Sequence, residues 1–229
     1  MKFTLPGGYA RRGAPLLCVL LAGCTGLLHS TAQPEQIYYL RAPPAASGAP
    51  GAASVAAVTA TGAALRVATP LANPGFDSSR IMLVQADHRM NFYAGSRWPG
   101  TAPEVIGALT VETLRASGAW NWVQDSASAF PADYLLHITV RRFEADYSGG
   151  GGAPQVQVVL DCTLGRREGR EVIASFVAQG AATAAADRMS EVVAAFEEAT
   201  RTALQSLSQQ ASEAVRTHAP PAPPAPSER

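Results

Sequence analysis

Two runs of strict alternation stand out along the chain. Tyr134, Leu136, Ile138 and Val140 alternate with Leu135, His137, Thr139 and Arg141, and Val156, Val158, Leu160, Cys162 and Leu164 repeat the pattern. A period of two sends successive side chains to opposite faces, so each run predicts a strand with one apolar face. The glycine-rich stretch 148–154, "SGGGGAP", joins them as a loose hairpin. A second turn at 165–169 leads to Val172, Ala174, Phe176 and Ala178. Three consecutive antiparallel strands are expected.

Elsewhere the period changes to three and four. Met189, Val192, Val193, Phe196, Ala199, Thr200, Ala203, Leu204 and Leu207 predict a long amphipathic helix over 187–214. A second helix begins at Thr101-Ala102-Pro103-Glu104. Thr101 suits the N-cap, Glu104 the reciprocal position three residues on, and Pro103 the first turn, where no backbone donor is missed. Val105, Ile106, Leu109, Thr113 and Ala116 share its apolar side, and Gly118 stops it.

Shorter β-rich runs complete the pattern. "IYYL" at 37–40, "ALRVATP" at 64–70, "RIMLVQAD" at 80–87 and a fourth run at 90–94 precede the first helix, with a turn at 87–89. "WNWV" at 120–123 follows that helix, and its aromatics are expected to cover it. The fold class is α+β: an antiparallel β-sheet with two main helices packed on one face, in the order β-β-β-β-α-β-β-β-β-α.

The two ends read differently from this core. Lys2, Arg11 and Arg12 precede the apolar block "APLLCVLLAG", the form of a secretory signal. The block is well short of the roughly 20 residues that a membrane-spanning helix needs. It ends in "LAGC", which resembles the lipobox of bacterial lipoproteins: an aliphatic residue, two small ones, then the cysteine whose thiol takes the diacylglyceryl group. Cys24 is the expected lipidation site. Thr25 follows it, so the aspartate that retains such lipoproteins in the inner membrane is absent, and the resemblance implies an outer-membrane anchor facing the periplasm.

These features divide the chain into a signal peptide at 1–23, a lipidated tether at 24–36, a folded domain at 37–214, and a tail at 215–229. Residues 41–64, rich in Ala, Pro, Gly and Ser, form a flexible insertion in that reading. The tail carries "APPAPPAP" and is expected to be disordered. Removing Lys2, Arg11 and Arg12 from 18 basic residues leaves 15 against 18 acidic ones. That slight acidity gives no reason to expect a nucleic-acid partner.

Candidate chemistry is sparse. His29, His88, His137 and His218 lack metal-ligand spacing, and no G-x-S-x-G elbow occurs. The 149–152 glycines lack the Lys-Ser/Thr of a phosphate loop. Cys162, in an apolar strand pattern, reads as a small buried hydrophobe. Arg141-Arg142 and Arg166-Arg167 could rim an anionic headgroup site, although strand ends and hairpin tips carry charge by default. No catalytic residue, metal or cofactor is expected. The stretch "NFYAGSRWPG" leaves Tyr93, Arg97 and Trp98 as a candidate partner surface or, for Phe92 and Trp98, packing at a strand-to-helix joint.

The order of these landmarks resembles one family, the auxiliary lipoproteins of ABC-type transporters, which include intermembrane transport lipoproteins. The resemblance rests on Cys24 followed by "IYYL", then "LRVATP", "SSRIMLVQADHRMNFYAGSRW", "APEVIGALTVETLRASGAW", "ADYLLHITVRRFEADY" and "AAFEEATRTAL". In that family a Tyr-Ala and an Arg-Trp precede the first long helix, where Tyr93, Ala94, Arg97 and Trp98 stand here. The resemblance implies a non-enzymatic, lipid-anchored component that docks a periplasmic mammalian-cell-entry (MCE) domain protein of an ABC transporter moving lipids or other hydrophobic solutes. A homo-oligomeric ring is an assembly it admits. An outer-membrane assembly or envelope-structural lipoprotein is the alternative function.

Overall fold

The computed structural model describes residues 34–42, 60–150 and 152–218. Cys24, the signal sequence, residues 43–59 of the insertion and the tail from 219 lie outside the described residues. In chain order the elements are β1 (Gln36–Ile37), β2 (Ala64–Val67), β3 (Leu71–Ala72), β4 (Arg80–Val84), β5 (Met90–Arg97), α1 (Ala102–Ala116), β6 (Trp122–Gln124), β7 (Tyr134–Asp146), β8 (Gln155–Arg166), β9 (Glu171–Thr183) and α2 (Met189–His218). The α+β class and the element order follow the hydrophobic pattern. The short β3 is an addition, because the 64–70 run breaks at Pro70, which has no N–H to give a ladder.

β7, β8 and β9 form the expected antiparallel meander, with Leu136 opposite Leu164 and Leu160 opposite Ala178. The sheet as a whole is mixed, a correction to the expected antiparallel arrangement. β2, β3 and β4 lie one after another along the free edge of β7, all parallel to it: Leu65 meets Tyr134, Leu71 meets Thr139 and Met82 meets Glu144. β6 adds to β2 in parallel, and β1 adds to β5 in parallel. Periodicity reveals a strand and its apolar face but carries no information on which edge it joins or in which direction.

Both helices cover the same face. The inward residues Leu136, Ile138, Val140, Val158, Leu160, Cys162 and Leu164 are all at most 2% exposed and belong to one core with Ile106 and Leu114 of α1 and Phe196, Leu204 and Leu207 of α2. A bulge between Val140 and Arg142 shifts the alternation by one, so Phe143 and Ala145 continue the inward face. On the opposite face His137, Arg141 and Val177 are exposed.

The helix ends are set locally. The Glu104 carboxylate accepts the Thr101 N–H at 2.8 Å, closing the first turn of α1. Gly118 takes φ +65°, the left-handed conformation that ends a helix at little cost only for glycine. α2 runs to His218, four residues beyond the expected end at 214, so residues 215–218 belong to the helix and not to the tail. Ala195, Ala199, Ala203 and Ala211 are buried on α2. These small side chains let its backbone approach β9 closely, and Gly180 provides the matching gap in the strand.

Candidate functional site

The joint between β5 and α1 holds the three residues singled out in the sequence, and they do three different things. Trp98 is fully buried, with its ring centroid 5.6 Å from Phe143 and 5.1 Å from Phe196. The Trp98 backbone N–H donates to Ser79 O at 2.7 Å, and the Ala102 backbone N–H donates to Ser78 O at 3.0 Å, so the joint is tied to the start of β4. Trp98 is therefore a packing residue, which removes it from any partner surface. Phe92 departs from the packing expectation: it is 40% exposed, and the Arg80 guanidinium lies over its ring at 4.0 Å.

Arg97 turns to the N-terminal segment. Its Nε stands 2.9 Å from Glu35 Oε2, while its backbone carbonyl accepts the Tyr38 N–H at 2.9 Å. At the other end of that segment, Arg41 donates through Nε and Nη2 to the Glu197 carboxylate on α2 at 3.1 and 3.0 Å. The short segment from Glu35 to Arg41 is thus fastened at both ends.

Tyr93 points elsewhere. Its hydroxyl lies 2.8 Å from that of Tyr147, which donates to Asp187 Oδ1 at 2.6 Å. Burial raises the pKa of both phenols, so both are protonated at neutral pH and the chain of hydrogen bonds is intact. It ties β5 to the turns after β7 and before α2.

Beside it sits an unusual carboxylate. The Glu144 side chain is 1% exposed, held by Arg142 and by the Phe143 N–H at 2.8 Å. Arg142 also reaches Asp146 at 3.2 Å and Gln157, so one guanidinium serves two carboxylates. Burial raises the Glu144 pKa, against the pull of Arg142. A carboxyl that ionises less readily in the native than in the unfolded chain subtracts stability as pH rises through its raised native pKa. Replacing Glu144 by Gln should accordingly compare more favourably with wild type at about pH 8 than at about pH 4, measured by urea unfolding at both values.

Three of the four basic-rim candidates are engaged within the fold, and Arg167 is exposed. Arg141 pairs with Asp161 at 3.1 Å, and Arg166 pairs with Glu171 and donates to His218 O. With Arg142 between its two carboxylates, these arginines do not form an open basic rim. Burial, then the neighbouring Asp161 charge, push the Cys162 thiol up to about 12, so it stays protonated and inert at neutral pH. Among the described residues no cluster of three His, Cys, Asp or Glu is placed to hold a metal, and no helix is long and apolar enough to cross a membrane.

Two exposed features escaped the sequence reading. Trp120 is buried against Tyr134, whereas Trp122 on β6 is 58% exposed. Phe130, in the loop between β6 and β7, is 74% exposed, and its carbonyl accepts from Arg66. Two large aromatics thus flank the β2–β6 pair, which joins the free edge of β7 at its Tyr134 end, whereas β1 joins the same edge through β5 and β4 at its Asp146 end. The expectation that both aromatics of "WNWV" cover α1 is thus corrected for Trp122, because β6 is an outer strand and leaves that ring 58% exposed. Nearby, an open groove of about 400 Å³ runs between α1 and the link from β2 to β3, with Val67, Gly107 and Ala108 in its lining and Glu112 and Asp125 beside them.

Comparison with known proteins agrees with this architecture. A solved structure from Xanthomonas campestris, assigned to the DUF330 family model, is 24% identical, covers 82% of this chain and 98% of its own, and superposes with a TM-score of 0.65. A solved structure of an uncharacterized protein is 13% identical, covers 81% of this chain and 99% of its own, with a TM-score of 0.55. Both share the fold. No curated protein matches the chain. The model of the ABC-type transport auxiliary lipoprotein component matches residues 45–211, which take in β2 through most of α2. The chain belongs to the ABC-type transport auxiliary lipoprotein family.

Proposed function

We propose that this protein is a lipid-anchored periplasmic accessory of an ABC transporter, held on the outer membrane through Cys24, that docks an MCE-domain protein of an intermembrane lipid or hydrophobic-solute transport system. It acts by binding and position, without catalysis. The observation that carries the reading is the family match across 45–211. The lipobox "LAGC" supports the anchor, and the exposed Trp122 and Phe130 supply the type of side chain that dominates docking energetics.

The test is co-purification from detergent-solubilised envelope, comparing wild type with Trp122→Ser/Phe130→Ser. Both side chains are exposed, so the melting temperature should stay within about 2 °C of wild type. Recovery of the MCE-domain protein should fall by about 10-fold or more if the pair anchors the interface. Wild-type protein that recovers no transporter component would overturn the reading. Recovery of an outer-membrane β-barrel in its place would establish the assembly role.

A further inference from the structure

The segment from Glu35 to Arg41 is fixed more firmly than a linker requires. Tyr38 and Leu40 turn inward to the core, and Glu35–Arg97 and Arg41–Glu197 clamp the two ends. The consequence is that Ile37, at the end of β1, and Tyr39, just after it, are held outward together, 55% and 68% exposed. Glu35 and Arg41 cancel in charge and both already have partners in the fold, so little stands against bringing this surface to a membrane interface.

We infer that Ile37 and Tyr39 rest in the headgroup region of the bilayer that carries the acyl chains of Cys24. This rests on the lipidation proposed above. The occupant follows from chain length: Ile37 is 13 positions from Cys24, and that many residues span at most about 45 Å. A tether this short keeps the bilayer at high effective concentration, so a contact of two side chains is sufficient. An aliphatic side chain beside a phenol, apolar body with a polar tip, is chemistry that suits the lipid–water boundary.

The experiment uses the full acylated protein in phosphatidylethanolamine/phosphatidylglycerol vesicles. An environment-sensitive fluorophore is placed at Tyr39→Cys or, for comparison, at Phe130→Cys, and quenched with headgroup-nitroxide lipid. Quenching at position 39 should exceed that at 130 by about twofold or more, and Ile37→Asp should reduce it. Equal quenching at the two sites in protein that floats with the vesicles would refute the inference and leave the anchor standing. Protein that fails to float removes the anchor and the inference together. A concentration-dependent blue shift at position 39 before vesicles are added would assign the surface to a second copy instead.

Discussion

Trp98→Ala is expected to lower stability by about 3–5 kcal/mol, the usual range for emptying a buried large aromatic site. For a domain of this size that corresponds to a fall in melting temperature of roughly 6–20 °C. The ring is fully buried and joins three elements, since it follows β5 and packs on Phe143 of β7 and Phe196 of α2. Phe143 and Phe196 also meet each other, at 5.0 Å, so removing the indole opens one side of a closed aromatic cluster. The Trp98 Nε1 hydrogen has no partner among the described residues, and Trp98→Phe should therefore recover much of the loss. Thermal unfolding followed by near-UV circular dichroism reads both variants. An Ala variant with an unchanged melting temperature and lost transport would reassign Trp98 to partner contact.

Gly180→Ala should be comparably damaging, although it adds only one methyl group. A Cβ at this position would lie 2.0 Å from the Ala199 carbonyl oxygen and 2.8 Å from the Ala203 nitrogen. Both obstacles are helix backbone, so no side chain can swing aside and α2 has to lift from β9. The cost should reach or exceed the upper part of the roughly 1–3 kcal/mol seen for overpacked cores. Ala199→Gly cannot rescue it, because the clash is with the carbonyl. Gly149→Ala is the control: no described residue lies within 4 Å of a Cβ at that position, and its effect should stay within about 0.5 kcal/mol. Equal melting temperatures for the Gly180 and Gly149 variants would show that the helix does not sit against the strand as described.

Much of this architecture was legible because it is local. Alternation marked Tyr134 to Val140 and Val156 to Leu164 as strands with a buried face, and those inward residues are at most 7% exposed. The Thr101–Glu104 pair and Gly118 bounded α1, because capping depends on groups three or four residues apart. The stripe on α2 was read correctly for the same reason.

The candidate site was less legible. Tyr93, Arg97 and Trp98 are neighbours in sequence, yet one joins a hydroxyl network with Tyr147 and Asp187, one pairs with Glu35, and one fills the core. Equally similar in sequence are Trp120 and Trp122, of which one is buried and the other exposed. A side chain's own neighbours along the chain do not say what the rest of the fold will bring to it.

The amino-acid sequence by itself determined the main elements, their apolar faces, the ends of α1 and the "LAGC" export signature, all of which depend on periodicity and on groups a few residues apart. Only the tertiary structure decided that β2, β3 and β4 run parallel along β7, that Gly180 admits the backbone of α2, and that Ile37, Tyr39, Trp122 and Phe130 stay on the surface. Each of these is set by which distant segment arrives at an edge or a face. That choice follows from the packing of the whole core, and no window of the chain contains it.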